Sequence, residues 1–100
     1  MANPQKEHGY TAIANELVEA FMKLNLPQHG WRILFCVIRY SYGWNKKTAN
    51  LTCSQIAKLT GIDVRLVPRT LKILTDKNII IREKNIFKLQ KDYHKWISSI

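Results

Sequence analysis

The chain of 100 residues carries 16 basic and 7 acidic side chains, a formal net charge of +9, and is 46% hydrophobic. That length bounds it to one domain with one modest core, and the charge by itself fits either an anionic partner or a solvated basic face. Cys36 and Cys53 stand alone, without Cys-x-x-Cys spacing or a histidine at a zinc-ligand interval, and no apolar run approaches the ~20 residues that cross a bilayer.

Residues 1–9 are polar, contain Pro4 and Gly9, and read as a flexible lead-in to a domain over 10–97. Met1–Glu7 has no apolar segment behind it, so no signal peptide is expected and the chain reads as cytoplasmic. Thr11 can cap a first helix in which Ile13, Leu17, Phe21 and Leu24 recur at helical spacing, opposite Glu16, Glu19 and Lys23. Asn25–Leu26–Pro27 breaks that helix, and Pro27 suits the first turn of the next. There Trp31, Leu34, Phe35, Ile38 and Tyr42 follow the helical period. Ile33, Val37 and Tyr40 widen the apolar surface, so this helix is expected at the centre, with Cys36 as a small core residue and Gly43 as its stop. Trp44–Asn45–Lys46–Lys47 reads as an exposed basic turn, and Asn50–Cys53 as a short strand able to pair with a later hairpin.

The pattern from Thr52 to Lys91 is the most informative. Thr52-x-x-Gln55 is a capping box that opens a short helix with Ile56, Ala57 and Leu59 on its buried side, and Gly61 fits the left-handed residue that closes it. Asp63 can cap a second, longer helix to about Lys77, with Val67, Leu71 and Leu74 as its buried stripe and Asn78 as its stop. Pro68 is a misfit at the fifth position of such a helix: either the helix starts later, with residues 64–67 a looser turn, or it kinks. Ile79–Arg82 and Ile86–Leu89 are rich in β-formers and separated by Glu83–Lys84–Asn85, which makes a short hairpin. Asp92 can cap a final turn through Tyr93, Lys95 and Trp96. The predicted fold is mainly α (α+β): a winged helix-turn-helix with a short β-hairpin wing.

That order places a basic helix where DNA-binding folds put the one that enters the major groove. Residues 54–91 hold nine basic and three acidic side chains, 9 − 3 = +6, against 6 − 3 = +3 for residues 1–53, so the excess coincides with the motif. Arg65, Arg69 and Lys72 fall opposite the buried stripe at i, i+4 and i+7. Arg65 and Arg69 are the candidates for reading guanine edges, Lys72 for a phosphate, and Thr70 is a further DNA-binding candidate on the same helix. Lys84 at the hairpin tip, with Arg82 and Lys88 on its strands, can reach the minor groove or phosphates, while Glu83 opposes close approach. Lys46 and Lys47 form a second basic turn. The bland alternative for any one lysine is a solvated surface charge. Trp44 can stack on sugar or base or, more ordinarily, cover a core edge with its N–H in water. His8, His29 and His94 share no spacing that suggests a metal or catalytic role, and there is no phosphate-binding glycine loop or nucleophile elbow. Neither an enzyme nor a cofactor is expected.

Gly9–Tyr10–Thr11 through Glu16–Leu17, Tyr42–Gly43–Trp44–Asn45–Lys46–Lys47, Ile79–Ile80–Ile81–Arg82–Glu83 and Lys91–Asp92–Tyr93–His94–Lys95–Trp96 together give the chain a clear likeness. Over residues 8–97 it resembles the N-terminal domain of the phage replication protein O family, initiators of lambdoid phages and related prophages. The resemblance implies a winged-helix domain that binds repeated sites in a phage origin, in the cytoplasm and nucleoid of a bacterial host, with a homodimer on DNA as one arrangement. It also implies a separate C-terminal region that engages a helicase-loading partner. That region lies outside these 100 residues, so the chain is expected to be a truncated piece or a short relative, and helicase recruitment is not carried over. Family members usually have a small polar residue where this chain has Pro68. Two alternatives share the fold: a transcriptional regulator on promoter DNA, and a protein-interaction winged helix that binds no DNA.

Overall fold

A computed structural model describes residues 2–97, which form four α-helices and three short strands. They are α1 (Asn15–Met22), α2 (Gln28–Ser41), β1 (Ala49–Asn50), α3 (Cys53–Thr60), α4 (Val67–Asp76), β2 (Ile80–Glu83) and β3 (Ile86–Leu89). The fold is mainly helical α+β, with one antiparallel sheet in the order β1-β3-β2.

The apolar stretch of α2 explains the layout. Ile33, Leu34, Val37 and Ile38 are at most 1% exposed, and α3, α4, β1 and β3 all pack against this helix. Cys36 joins the same core, and its burial pushes the thiol up to about 11. Phe35 departs from the expected stripe: it is 52% exposed, with one edge against the Phe21 ring of α1. Gly43 is not the stop. The helix runs through a 3-10 turn, Tyr42–Trp44, and Asn45 takes the left-handed conformation at φ 56°. Gly43 instead permits close packing, since a Cβ there would lie 2.9 Å from Arg39 Nη1 and 3.0 Å from Thr11 Oγ1. Thr11 sits in that contact and is not a cap; α1 opens at Ala14, which makes no side-chain cap bond.

The capping box forms as the sequence predicts. Gln55 N donates to Thr52 Oγ1 at 3.1 Å, and Thr52 N donates to Gln55 Oε1 at 2.8 Å. Ile56 is fully buried, Leu59 is exposed rather than inward, and Gly61 closes α3 at φ 77°. Because Thr52 and Cys53 belong to this cap and first turn, the strand expected at 50–53 lies earlier, at Ala49–Asn50, where Ala49 pairs with Phe87 and Asn50 with Ile86.

The longer helix does not start at Asp63. Asp63 caps a 3-10 turn, Val64–Leu66, and α4 begins at Val67 with Pro68 in its first turn. In that turn an N–H would have no intrahelical partner, so proline costs no hydrogen bond and the misfit disappears. Asn78 then turns left-handed at φ 57°. Ile79 is a buried link rather than a strand residue, and the hairpin closes through two residues, Lys84 and Asn85, because Glu83 pairs with Ile86. Along β3 the side chains alternate: Phe87 and Leu89 are buried, while Ile86 and Lys88 face away from the core.

The C-terminal segment is tied back to α1. Asp92 caps the 3-10 turn Tyr93–Lys95, and Trp96 Nε1 donates to Gln90 O at 2.7 Å. The Trp96 ring stacks on Phe21 with centroids 5.6 Å apart, and the Tyr93 hydroxyl donates to Glu16 Oε2 at 3.2 Å. Trp96 thus acts as a lid on the core edge.

The capping box should be measurable. Thr52→Ala removes the acceptor for one first-turn N–H and should lower unfolding free energy by about 1 kcal/mol in urea denaturation. An unchanged midpoint and slope would show that solvent replaces the cap.

Candidate nucleic-acid interface

The helical period divides α4 into two faces. Val67, Thr70, Leu71 and Leu74 are buried, and Pro68, Arg69, Lys72 and Asp76 are exposed. Thr70 must therefore leave the set of DNA-contact candidates. It is 5% exposed, and its hydroxyl donates back to Leu66 O at 2.9 Å, so it is committed to the helix and the core.

The remaining basic residues of this region are exposed but not equally free. Arg65 projects from the 3-10 turn ahead of α4, with Nη2 donating to Asp63 Oδ2 at 2.8 Å and Nε to Oδ1 at 3.2 Å. The fork holds the Asp63 carboxyl below the usual carboxylate range, and the same contact raises the Arg65 guanidinium. Lys72 pairs with Asp76 at 3.0 Å, one turn further along α4. Arg69, between them, makes no ion pair among the described residues. It is the cation on this face that needs to release nothing before meeting a phosphate or base edge. Both ion pairs are solvent-exposed, so an incoming phosphate can exchange for either carboxylate at small cost.

At the hairpin, Lys84 occupies the turn in the left-handed conformation, φ 56°, with its side chain in solvent. Arg82 is folded back: Nε donates to Lys84 O at 2.7 Å and the guanidinium lies 5.1 Å from the centre of the Phe87 ring. It stiffens the hairpin rather than extending beyond its tip. Glu83 is exposed beside the turn, as the sequence places it.

Lys46, Lys47 and Lys88 stand apart from α4. They come together with Tyr42, Ile81 and Lys91 around a cleft of about 370 Å3 on the sheet's outward face. Sequence reasoning missed Tyr42 and Lys91 there. Tyr42 reads as one more apolar position of α2, and Lys91 as a basic residue beyond the hairpin; only the register of β3 brings them to one place. The Tyr42 hydroxyl is buried without a hydrogen-bond partner, and burial raises its phenol. Trp44, beside this cleft, is 58% exposed, with the Arg39 guanidinium 5.4 Å from its ring centre.

Among the described residues no group of three or more His, Cys, Asp or Glu could hold a metal ion, and both cysteines are free; the side chain of His8 lies outside that set. No described helix is long and apolar enough to cross a membrane.

A small α+β domain with a basic, solvent-facing helix and a lysine-tipped hairpin has the form of a nucleic-acid-associated protein. The chain belongs to the bacteriophage replication protein O family, whose model matches residues 3–96. It is similar to replication protein 15 of Enterobacteria phage phi80, 36% identical over 94 residues that make 90% of this chain and 31% of that protein. It is similar to replication protein O of Escherichia phage lambda, 29% identical over 90% of this chain and 27% of that protein. DNA replication protein gp18 of Salmonella phage P22 is 42% identical over 76% of this chain and 26% of its own length. The chain thus spans between about a quarter and a third of the length of these relatives. The family membership implies a role in phage DNA replication. No solved structure matches the chain.

The Asp63–Arg65 contact makes a pH prediction. A carboxylate held below its ordinary value contributes stability above the usual aspartate range, and that contribution is lost as pH falls through the lowered value. Carboxyl carbon NMR should find Asp63 titrating below an ordinary aspartate, and Arg65→Ala should move it upward. An Asp63 titration unaffected by Arg65→Ala would mean the contact does not persist in solution.

Proposed function

We propose that residues 10–97 form a winged helix-turn-helix domain that binds duplex DNA in a sequence-specific way, with phage replication-origin repeats as its target. The observation that carries this reading is the exposed face of α4. Arg69 and Lys72 stand on it opposite Val67, Leu71 and Leu74, with Arg65 just ahead on the capped 3-10 turn. In this reading α3 and α4 are the helix-turn-helix, α4 enters the major groove, and β2–β3 is the wing. Arg69 reads a base edge, Arg65 exchanges Asp63 for a base edge or phosphate, and Lys72 and Lys84 hold phosphates. The mechanism is binding without covalent chemistry.

Support for replication over transcription comes from the family, and from the names of the phage relatives. Paired domains on repeats fit the reading, with α4 helices about 34 Å apart on a palindromic site. For a homodimer, the apolar first helix and the C-terminal Tyr93–Trp96 segment are the candidate contacts. Phe21 of α1 stacks on Trp96, and exposed Met22 and Phe35 flank them. Recruitment of a helicase-loading partner is not part of the proposal. A footprint on the source genome separates the two targets: protection at the origin supports the initiator reading, and protection confined to promoters contradicts it.

Titration with selected and random duplexes gives a finer test. Arg69→Ala should weaken the selected duplex by roughly tenfold or more and the random one less, because a good arginine–guanine pair is worth about 1–3 kcal/mol of discrimination. Four or five neutralised phosphates should give a slope of log K on log salt of about −3.6 to −4.5. Equal losses on both duplexes would reduce Arg69 to a phosphate contact, and absence of binding at low salt would sink the duplex reading.

A further inference from the structure

The cleft beneath Tyr42 is built from charges that α4 does not use. Lys46 and Lys47 come from the turn after α2, Lys88 from the outward face of β3, and Lys91 from the chain just beyond it. No carboxylate lines the cleft, and none of these four lysines is in an ion pair among the described residues. Arg65 and Lys72 differ in this respect, since each already has a carboxylate. Four like charges around one hollow repel each other, and an anion between them relieves that repulsion. Tyr42 forms part of the wall of this cleft.

The register separates this site from the hairpin tip, and none of the residues that line it belongs to α4. Asn50 pairs with Ile86 next to the hairpin turn and Ala49 with Phe87, so the residues before Ala49 run toward the opposite end of the sheet. Lys88 faces away from the side on which Phe87 and Leu89 meet the core. Trp44 adds an aromatic surface: Lys46 borders both the cleft and an adjoining hollow lined by Trp44, Thr48 and Asn50. A basic groove beside an exposed aromatic ring is the arrangement by which single strands are held, with phosphates on the cations and a base on the ring.

We propose that this cleft and Trp44 form a second nucleic-acid site that takes an unpaired strand, its phosphates against Lys46, Lys47, Lys88 and Lys91 and one base stacked on Trp44. The site stands independently of duplex recognition by α4. In an initiator, such a site would let one domain hold duplex and melted strand together.

The test is fluorescence anisotropy with a labelled oligothymidine of about ten nucleotides, within the usual span of a strand-binding site, and in parallel with a selected duplex. Trp44→Ala and the double variant Lys46→Gln/Lys47→Gln should each lose roughly tenfold or more in strand affinity with duplex affinity kept. Arg69→Ala should do the reverse. In the unaltered protein, the strand should shift the amides of residues 42–48 and 88–91, a readout that needs no variant to fold. Strand shifts confined to residues 63–77 would overturn the proposal. So would strand and duplex affinities falling together in the lysine variant. Displacement of the strand by tripolyphosphate at equal phosphate concentration would assign the cleft to free polyphosphate and overturn the strand reading.

Discussion

Ile33, Leu34, Val37 and Ile38 of α2 are almost wholly shielded from water, and a single helix cannot shield them alone. At roughly 1.5–3 kcal/mol for each such side chain fully buried, satisfying this one helix is the strongest demand in a domain of this size. The rest of the fold is the set of elements that meets it. α3 and α4 cover one side, β1 and β3 another, and the core they complete runs through Ile56, Val67, Leu71, Leu74, Ile80 and Phe87. Three of the exposed basic residues are placed by what their neighbours in sequence bury. Arg69 and Lys72 face water because Val67, Leu71 and Leu74 face α2, and Lys88 faces outward because Phe87 and Leu89 face in.

Local backbone chemistry then decides which cations are free. Pro68 cannot sit inside a helix, so α4 starts at Val67 and the preceding residues form a turn capped by Asp63. The carboxylate that caps the turn is the same one that holds Arg65. Arg65 is therefore pre-positioned at the head of α4 but partnered, and Arg69 is the unencumbered residue. This division follows from one proline and one aspartate. The setting we propose for it, from the family membership, is phage DNA replication.

Much of the fold was legible because its signals are local. The Thr52/Gln55 cap, the left-handed Gly61 and Asn78, and the alternating Ile86–Leu89 strand each depend on residues within one or two turns. The errors fell where long-range packing overrides a local preference. Thr11 is drawn into contact with Gly43 and so does not cap α1, and Gly43 is small for that contact rather than for a turn. Thr70 looks like a surface polar residue in sequence, but its hydroxyl is satisfied within the helix and its position falls on the buried face. Arg82 looks free, yet its neighbour Phe87 offers a ring and Lys84 a carbonyl. The cleft at Lys46, Lys47, Lys88 and Lys91 could not be read at all without the β1–β3 register, because its parts lie more than forty residues apart in sequence.

The central claim is that α4, its capped turn and the hairpin tip together face duplex DNA. Amide shift mapping of the isotope-labelled chain with a duplex carrying its selected sequence tests it most directly. The account predicts the largest shifts at residues 63–73 and 83–86. Duplex-induced shifts centred on α1 and Tyr93–Trp96, with α4 silent, would contradict it.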